Sequence, residues 1–570
     1  MSLSTITKNQ SKTEETSFFA KYKVQLIIAL ISAVFYLPFL GGVHLFDWDE
    51  INFAEISREM VIMGEYLKVH VDYEPFWEKP PLFFWLQALS MHLFGIGEYA
   101  ARFPNAICGI VTLVVLFNIG KKLKDQLFGI LWAGAYFGSI LPALYFKSGI
   151  IDPWFNLFIL LGMYNLILAY WKQKEIDVLV LNRKPIYYAV LGGFYTGLAM
   201  LTKGPVAILI IGLCFGVYWI MQKFKLFISP KSVFTFILIS CLTALSWFGI
   251  ETIINGPWFV ETFVKYQIRL FETKDAGHGG FFGYHFVVIL IGCFPSSIFA
   301  LKGMMQKNFS TFYEKDFKIW MNILLWTILI LFTIVQSKIV HYSSMAYFPL
   351  TYLAALSVYE IVNKREHLTG WMKNMLYAIG GLIGFILFIT PLAYMNIDKI
   401  KPLIKDKFTL ANLNADVSVS GIESLSGIIL IASIIICIYQ INKQKELIGF
   451  GVLSIGTALT LQLGLIFYIA KAEKISQNAA VEFIKSLDHR NSYVVTKKYK
   501  SYAPFFYSEM IPEDRHEKYS RDWLHYGKDI DKDVYIITKI HKQEQFEKEI
   551  TDAIRIGEKN GYVFYKREAN

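Results

Sequence analysis

The stretch Asp47-Trp48-Asp49-Glu50-Ile51-Asn52-Phe53-Ala54-Glu55-Ile56-Ser57-Arg58-Glu59-Met60 directly follows the first long apolar run of the chain. It places five acidic side chains and one arginine in a short segment with helical periodicity. Ionisable groups beside a bilayer are costly unless they pair with one another or serve a site. The stretch therefore predicts a functional site at a membrane edge, because a plain membrane anchor would not need these charged residues.

The composition indicates a membrane protein. Of the 570 residues, 54% are hydrophobic and 18% are charged, whereas soluble domains carry roughly 25% charged residues. The net charge of +10 comes from short basic clusters between apolar runs, which is typical of membrane topology and argues against a nucleic-acid partner. The first apolar run, 24–43, is too long for a signal-peptide core and therefore predicts a retained span.

About thirteen apolar segments close to twenty residues long predict membrane-spanning helices. Segment 81–95 is shorter and predicts an amphipathic helix at the membrane surface. Basic residues recur in alternate loops, as the positive-inside rule requires if the N-terminus is cytoplasmic. An odd number of spans then puts the chain after residue 470 outside the cytoplasm. The predicted spans are 24–43, 102–120, 127–146, 152–171, 186–202, 205–222, 232–254, 284–301, 319–336, 341–362, 375–395, 424–441 and 449–469.

The chain after residue 470 has a different, more polar pattern. We therefore predict two domains, a helical membrane domain over 1–470 and a small soluble α/β domain over 471–570. The first external loop of the membrane domain covers 44–101 and contains the quoted stretch. Alternating and helical apolar patterns in the second domain predict strands at 493–496, 534–538 and 562–565 and helices at 475–487 and 543–556.

Some polar residues are left unexplained by topology, and they share the predicted external face. Lysine and arginine are disfavoured on that face, so their presence indicates a site. Converging Lys, Arg and Tyr side chains suit an anionic lipid headgroup, and a carboxylate opposite them could act as a general base. These residues are Asp49, Glu50, Arg58, Glu78, Lys79, Asp152, Lys203, Arg269, His278, Lys338, His341 and Tyr342.

Several of these residues also allow a purely structural interpretation. Asp47 and Glu50 have the spacing of a helix capping box, and Glu55 with Arg58 has the spacing of a stabilising pair on one helix face. Lys79 and Lys203 precede turns and could be surface lysines. His278, which lies among glycines, is more typical of a flexible loop than of a metal ligand.

Five motifs follow one another along the chain: Asp49-Glu50-x-x-x-Ala54-Glu55-Ile56-x-Arg58-Glu59-Met60, Glu78-Lys79-Pro80, Asp152-Pro153, Thr202-Lys203-Gly204 and Lys338-x-x-His341-Tyr342. In order, spacing and placement, from about residue 24 to 470, the chain resembles the bacterial aminoarabinose transferase family. These proteins are relatives of the protein O-mannosyltransferases and have the GT-C glycosyltransferase fold.

The resemblance implies an α-helical polytopic enzyme with about thirteen spans, amphipathic juxtamembrane helices and a small α/β C-terminal domain. It implies that Asp49 is the acid next to the reacting sugar, with Glu78 and Asp152 as further acids of the same cavity. It implies no required cofactor, and a divalent metal would have only Glu78 and His278 as candidate ligands. The residues implied to bind the carrier phosphate or substrate are Lys79, Arg58, Arg269, Lys338, Tyr342, Lys203 and Glu50.

The implied activity is transfer of a sugar from a polyprenyl (undecaprenyl) phosphate carrier to an acceptor outside the cytoplasm, first of all lipid A or a related envelope glycolipid. A protein Ser or Thr, or a surface glycan, is an alternative acceptor. A transporter or flippase is a further alternative, but it predicts inverted repeats and polar groups at the bilayer midplane. We expect a monomer in the bacterial inner membrane, with a cytoplasmic N-terminus and a periplasmic C-terminal domain.

Overall fold

The computed structural model describes residues 18–175, 182–273 and 279–569, and most of them are helical. Apolar runs form helices in a membrane because each backbone polar group then finds its partner within the segment. The helices of the N-terminal half are α1 Phe18–Tyr36, α2 Asp49–Met63, α3 Leu82–Phe94, α4 Glu98–Leu123, α5 Gln126–Phe137, α6 Ile140–Leu144, α7 Asp152–Gln173, α8 Pro185–Lys203, α9 Val206–Met221, α10 Pro230–Asn255 and α11 Trp258–Glu272. The loop between α2 and α3 holds a two-stranded antiparallel ribbon, β1 His70–Val71 with β2 Glu74–Pro75.

The C-terminal half continues the helical bundle before the chain becomes polar. A 3₁₀ segment, Val340–Ala346, leads directly into α15, and π-helical turns interrupt the helices after α16 and α21. These helices are α12 Tyr284–Gly292, α13 Ser296–Met304, α14 Phe312–Ile334, α15 Tyr347–Val362, α16 Gly370–Met375, α17 Gly381–Tyr394, α18 Ile397–Ile400, α19 Lys407–Asn412, α20 Leu425–Asn442, α21 Glu446–Gly464, α22 Ala470–Ser476 and α23 Asn478–Lys485.

Every predicted span contains helix in the described residues. By length and apolar composition, eight helices of the described residues could cross a membrane, or ten if each bent pair counts as one span. The remaining predicted spans correspond to α1, α8 and α9, which do not meet this test of length and composition. The described helices therefore account for eight to ten of about thirteen predicted crossings, and the three at α1, α8 and α9 stay predictions.

Two predicted spans are sharply bent, which the sequence analysis did not anticipate. Within 127–146, α5 and the helical segment Ile140–Lys147 meet at 80°, and within 284–301, α12 and α13 meet at 113°. Gly138 follows the end of α5. Pro295 precedes α13, and proline cannot donate the backbone hydrogen bond that would continue α12.

The neighbouring helices α7 and α8 run antiparallel and pack closely through small residues. A Cβ atom on Gly192 would lie only 3.0 Å from the carbonyl oxygen of Gly162. Such glycines let the backbones of membrane helices approach each other. Because α7 begins at Asp152 and α8 ends at Lys203, this packing brings the two side chains together at one end of the pair.

A four-stranded mixed sheet forms after residue 490, in the strand order β3-β4-β6-β5. Strands β3 and β4 are parallel, and the other two pairings are antiparallel. The helix of the predicted last span continues to Ser476 and so crosses residue 470. The domain boundary at that residue stays a prediction. The elements of this region are β3 Ser492–Thr496, α24 Ala503–Ser508, α25 Arg521–Tyr526, β4 Asp533–Lys539, α26 Gln543–Glu549, β5 Ile554–Lys559 and β6 Tyr562–Arg567.

The predicted helix over 543–556 is wrong in its second half. Helix α26 ends at Glu549, and β5 begins at Ile554 and pairs with β6. The connection between the two strands is Asn560-Gly561, with φ values of 48° and 82°. Asn-Gly favours a tight hairpin turn because both residues tolerate positive φ. This dipeptide was the sequence signal for the missed strand.

The C-terminal region shares a hydrophobic core with the first external loop. Leu45, Ile51 and Ala54 of that loop belong to the same buried cluster as Ile484 and Tyr502. Burial of apolar side chains across the contact stabilises it at roughly 25 cal/mol per Å². The segment that carries Asp49 is thus packed against the C-terminal region.

Candidate active site

Asp49 is the first residue of α2, and the residue before it has an uncommon backbone conformation. Trp48 has φ 78°, a value that non-glycine residues rarely adopt. The Asp47 carboxylate accepts hydrogen bonds from the backbone N–H of Trp48, at 3.1 Å, and of Tyr502, at 2.9 Å. No side chain caps α2, so the capping box considered for Asp47 and Glu50 is not formed.

The Asp49 carboxylate faces an imidazole from a distant part of the chain. Its Oδ2 lies 3.7 Å from Nε2 of His341, and the Asp49 side chain is 44% exposed. It lies at the N-terminus of α2, where backbone N–H groups carry partial positive charge. An exposed, oriented carboxylate of this kind can accept a proton or a hydrogen bond from a substrate.

Asp152 and Lys203 form a second charged pair. Nζ of Lys203 donates to Oδ1 of Asp152 at 2.6 Å. Oδ2 of Asp152 is buried and has no hydrogen-bond partner among the described residues. The amine of Lys203 also lies 5.3 Å from the centroid of the Tyr342 ring. The pair therefore fixes the Asp152 carboxylate and the Lys203 amine in place beside the Tyr342 ring.

Lys79 and Arg269 both contact the ring of Tyr266. Nζ of Lys79 and Cζ of Arg269 each lie 5.0 Å from its centroid. Burial lowers the pKa of the Lys79 amine, while the neighbouring Glu78 and Asp49 carboxylates oppose that effect. Two cations held by one aromatic ring are a suitable binding element for a phosphate.

These residues line one cavity of about 990 Å³. Its wall includes apolar side chains such as Leu465, Ile466 and Ile469, next to the charged groups. A cavity with apolar walls and a few convergent polar groups suits a ligand that has an apolar chain and a polar head. The predicted site residues that line it are Asp49, Glu50, Glu78, Lys79, Asp152, Lys203, Arg269 and Tyr342.

Glu50 reaches the cavity wall, but its carboxylate is committed to structure. It binds Arg102 through two hydrogen bonds of 2.7 and 2.8 Å and also accepts the backbone N–H of Gly149 at 2.7 Å. Burial alone would raise the pKa of Glu50. The Arg102 guanidinium outweighs this effect, together with hydrogen bonds from the backbone N–H groups of Phe46 and Gly149, so the pKa is lowered. These contacts occupy both carboxylate oxygens, and the role of Glu50 as a substrate ligand stays a prediction.

Arg58 is not brought into the cavity. Its guanidinium pairs with Glu55 at 2.7 Å and donates to the carbonyl of Met510 at 3.1 Å. Burial and Glu55 raise the pKa of the neighbouring Glu59 to about 10. The alternative interpretation of Glu55 and Arg58 as an ion pair on one helix is confirmed, and the predicted role of Arg58 in carrier binding is corrected.

Lys338 does not line the cavity either. Its amine donates to the carbonyls of Phe332, Thr333 and Val335, at 2.9, 2.7 and 2.6 Å. The last carbonyls of a helix lack intrahelical partners, and a lysine can satisfy them. Lys338 therefore caps the end of α14, and its predicted phosphate-binding role is corrected.

His278, the other candidate metal ligand, lies outside the described residues. Over 18–175, 182–273 and 279–569, no three His, Cys, Asp or Glu side chains are grouped so that they could hold a metal ion. Glu78 lines the cavity without such a group around it.

The cavity wall also includes three polar residues that were not assigned a specific role, His341, Lys500 and Tyr502. His341 belongs to a quoted motif, and its contact with Asp49 could have been suspected from the shared external face. Lys500 and Tyr502 come from the C-terminal region. No sequence signal linked these two residues to Asp49, because only tertiary packing brings them together.

The comparisons with known proteins agree with this architecture. A family model described as dolichyl-phosphate-mannose-protein mannosyltransferase matches residues 78–247. The crystal structure of ArnT from Cupriavidus metallidurans bound to undecaprenyl phosphate superposes with a TM-score of 0.73 at 15% identity, covering 96% of this chain and 98% of that one. This chain has the GT-C fold. The predicted fold class is thereby confirmed.

The chain is also similar to curated proteins. Undecaprenyl phosphate-alpha-4-amino-4-deoxy-L-arabinose arabinosyl transferases of Edwardsiella ictaluri and Pectobacterium carotovorum are 24% and 26% identical to this chain. The matches cover 64% and 59% of this chain, and 65% and 59% of the relatives' length. The resemblance drawn from the five motifs is thereby confirmed.

Proposed function

We propose that this protein is a membrane glycosyltransferase that moves a sugar from a polyprenyl phosphate carrier to an acceptor outside the cytoplasm. The observation that carries the proposal is the single cavity in which Asp49, Lys79, Asp152 and Lys203 meet apolar walls. The names of the curated relatives, which describe an undecaprenyl phosphate-linked sugar, support the donor class. We assign lipid A or a related envelope glycolipid as the acceptor.

Lys79 and Arg269 bind the carrier phosphate in this mechanism. The acceptor oxygen attacks the anomeric carbon from the side opposite the phosphate, which inverts the configuration. The bond between that carbon and the phosphate oxygen breaks, and its electron pair leaves with the carrier. Fixed cations stabilise the negative charge that develops on the leaving phosphate, and a water-poor site strengthens this effect.

Asp49 orients the acceptor and takes its proton if the acceptor is a hydroxyl group. If the acceptor is a phosphate, it is already ionised, and Asp49 only positions it. Nε2 of His341 lies 3.7 Å from the Asp49 carboxylate, on the same side of the cavity. The ion pair of Asp152 with Lys203 lies in the wall of the same cavity. These steps need no cofactor, because the carrier already supplies the activated bond.

Transfer assays in proteoliposomes test the proposal. With undecaprenyl phosphate-linked aminoarabinose and lipid A, Asp49→Asn should lower kcat/KM by about 10²- to 10⁴-fold, the usual contribution of a positioned acid or base. Lys79→Ala should cost about 10²- to 10³-fold. Glu65→Gln, which changes an exposed carboxylate of the same loop, is the matched control. Wild-type rates in both site variants, at equal membrane levels, would contradict the proposal.

A protein Ser or Thr acceptor is the second candidate, because the matching family model describes protein mannosyltransferases. Mass spectrometry of lipid A and of exported proteins, with and without this gene product, separates the two acceptors. We further propose that the protein is a monomer in the bacterial inner membrane. The alternation of basic loops predicts that its C-terminal region lies in the periplasm.

A further inference from the structure

The C-terminal region contributes two side chains to the cavity. Lys500 and Tyr502 line it together with Trp48 and Asp49 of the first external loop. The segment between β3 and α24 is fixed there because the Tyr502 backbone N–H donates to the Asp47 carboxylate at 2.9 Å. The Tyr502 side chain is only 8% exposed. The C-terminal region is thus part of the site as well as packed beside it.

The Lys500 amine lies between two aromatic rings. Its Nζ is 5.3 Å from the Trp48 ring centroid and 5.0 Å from that of Tyr502, and the two rings meet edge to face at 6.3 Å. Such contacts hold a cation in place without neutralising its charge. Trp48, directly before Asp49, has a backbone φ of 78°. Backbone outliers of this kind cluster at functional sites.

Among the residues that the structure describes, no acidic side chain neutralises the charge of Lys500. No carboxylate of residues 18–175, 182–273 or 279–569 forms an ion pair with its amine, whereas the adjacent Lys497 and Lys498 both pair with Glu549. Lys79 and Arg269 contact a different ring, Tyr266. The cavity therefore presents Lys500 on one aromatic support and Lys79 with Arg269 on another, whereas a further cation of the wall, Lys203, is paired with Asp152.

We propose that Lys500, Trp48 and Tyr502 form the subsite for a phosphate group on the acceptor. This inference rests on the proposed function and deepens it. A reaction that takes place between a lipid-phosphate donor and a phosphate-bearing acceptor must hold two anions, and the cationic groups on the two aromatic supports supply one place for each. Lys500 contacts the residue next to Asp49, so a phosphate bound there brings the acceptor to the carboxylate that orients it. Lys500 is therefore a residue that determines acceptor specificity.

Binding and transfer by the full-length protein test this assignment. The probes are lipid A bisphosphate, fully dephosphorylated lipid A and undecaprenyl phosphate. We expect the wild-type protein to bind the bisphosphate at least tenfold more tightly than the dephosphorylated form. Lys500→Gln should abolish that difference and raise the acceptor KM about tenfold, with undecaprenyl phosphate binding unchanged. Lys500→Arg, which keeps the charge, should restore most of the difference.

Lys559→Gln, which changes an exposed lysine of β5 in the same region, is the matched control and should leave every value unchanged. The subsite assignment is overturned if Lys500→Gln still distinguishes the two forms of lipid A, if the wild-type protein does not distinguish them, or if the variant loses undecaprenyl phosphate binding instead. Failure of the proposed function has a different signature, because the wild-type protein would then neither bind undecaprenyl phosphate nor transfer sugar.

Discussion

Lys203 and Asp152 form an ion pair across two antiparallel helices, with Nζ 2.6 Å from Oδ1. Asp152 opens α7 and Lys203 closes α8, so each charge lies at the helix end whose dipole favours it. The same pair forms part of the cavity wall. One contact therefore joins the ends of the two helices and fixes two charged side chains in the cavity wall.

Lys203→Met should destabilise the protein by about 3–5 kcal/mol, because it leaves the buried Asp152 charge without its partner. The double variant Lys203→Met with Asp152→Leu should recover much of that stability, since apolar replacement of a buried pair is often neutral. Transfer activity should be lost in both variants. Thermal unfolding in detergent and proteoliposome assays measure the two properties separately. Equal stability of the single and double variants would show that the pair is not coupled.

Lys79 should give the reaction an alkaline limit. Burial lowers the pKa of its amine, so the neutral form appears at a lower pH than for an exposed lysine. As the pH rises through that pKa, the cation that we propose for carrier-phosphate binding is lost, and the donor KM should rise. Lys79→Arg keeps its charge throughout this range and should flatten the alkaline limb, although its different geometry should lower the rate. The donor KM measured against pH for both proteins checks this expectation.

The contrast among the predicted cations shows what sequence could and could not decide. The apolar runs predicted where helices lie, and the positive-inside rule made Lys79, Lys203, Arg58 and Lys338 equally unusual on the external face. Only three-dimensional contacts separate them. Arg58 and Lys338 satisfy a buried carboxylate and helix carbonyls, respectively, whereas Lys79 and Lys203 face the cavity.

The contribution of the C-terminal region to the cavity could not be predicted from the sequence, for a different reason. Local patterns predicted three of its four strands, but the placement of Lys500 beside Trp48 depends on packing between segments far apart in the chain. The Asn560-Gly561 turn could have been recognised in the sequence. It indicates a hairpin, and therefore a strand in the second half of the helix predicted over 543–556. The bends after Gly138 and before Pro295 had equally local signals.

Lys338→Gln should lower stability while leaving donor binding unchanged. The shorter side chain cannot reach the three carbonyls at the end of α14, and each buried acceptor left without a partner costs about 1–3 kcal/mol. Thermal unfolding and undecaprenyl phosphate binding measure the two effects. A specific loss of donor affinity at unchanged stability would return Lys338 to the phosphate site.

Glu59→Gln should remove a pH dependence of stability. Burial and the adjacent Glu55, to which the Glu59 carboxyl is hydrogen-bonded, raise the Glu59 pKa to about 10. Folded Glu59 therefore keeps its proton at pH values where the unfolded chain, with a glutamate pKa of about 4.3, has released it. The folded state then binds more protons than the unfolded state, so stability falls as pH rises between those two values.

Glutamine imitates the protonated carboxyl and can still accept the backbone N–H of Tyr73, which lies 3.1 Å from Glu59. The unfolding temperature of the wild-type protein should decline between about pH 6 and pH 9, and that of Glu59→Gln should decline less, so that the variant is the more stable protein at the alkaline end. Glu65→Gln, on an exposed carboxylate nearby, should follow the wild-type curve. Parallel curves for wild type and Glu59→Gln would mean that Glu59 is ionised in the folded protein and that Arg58 neutralises both carboxylates.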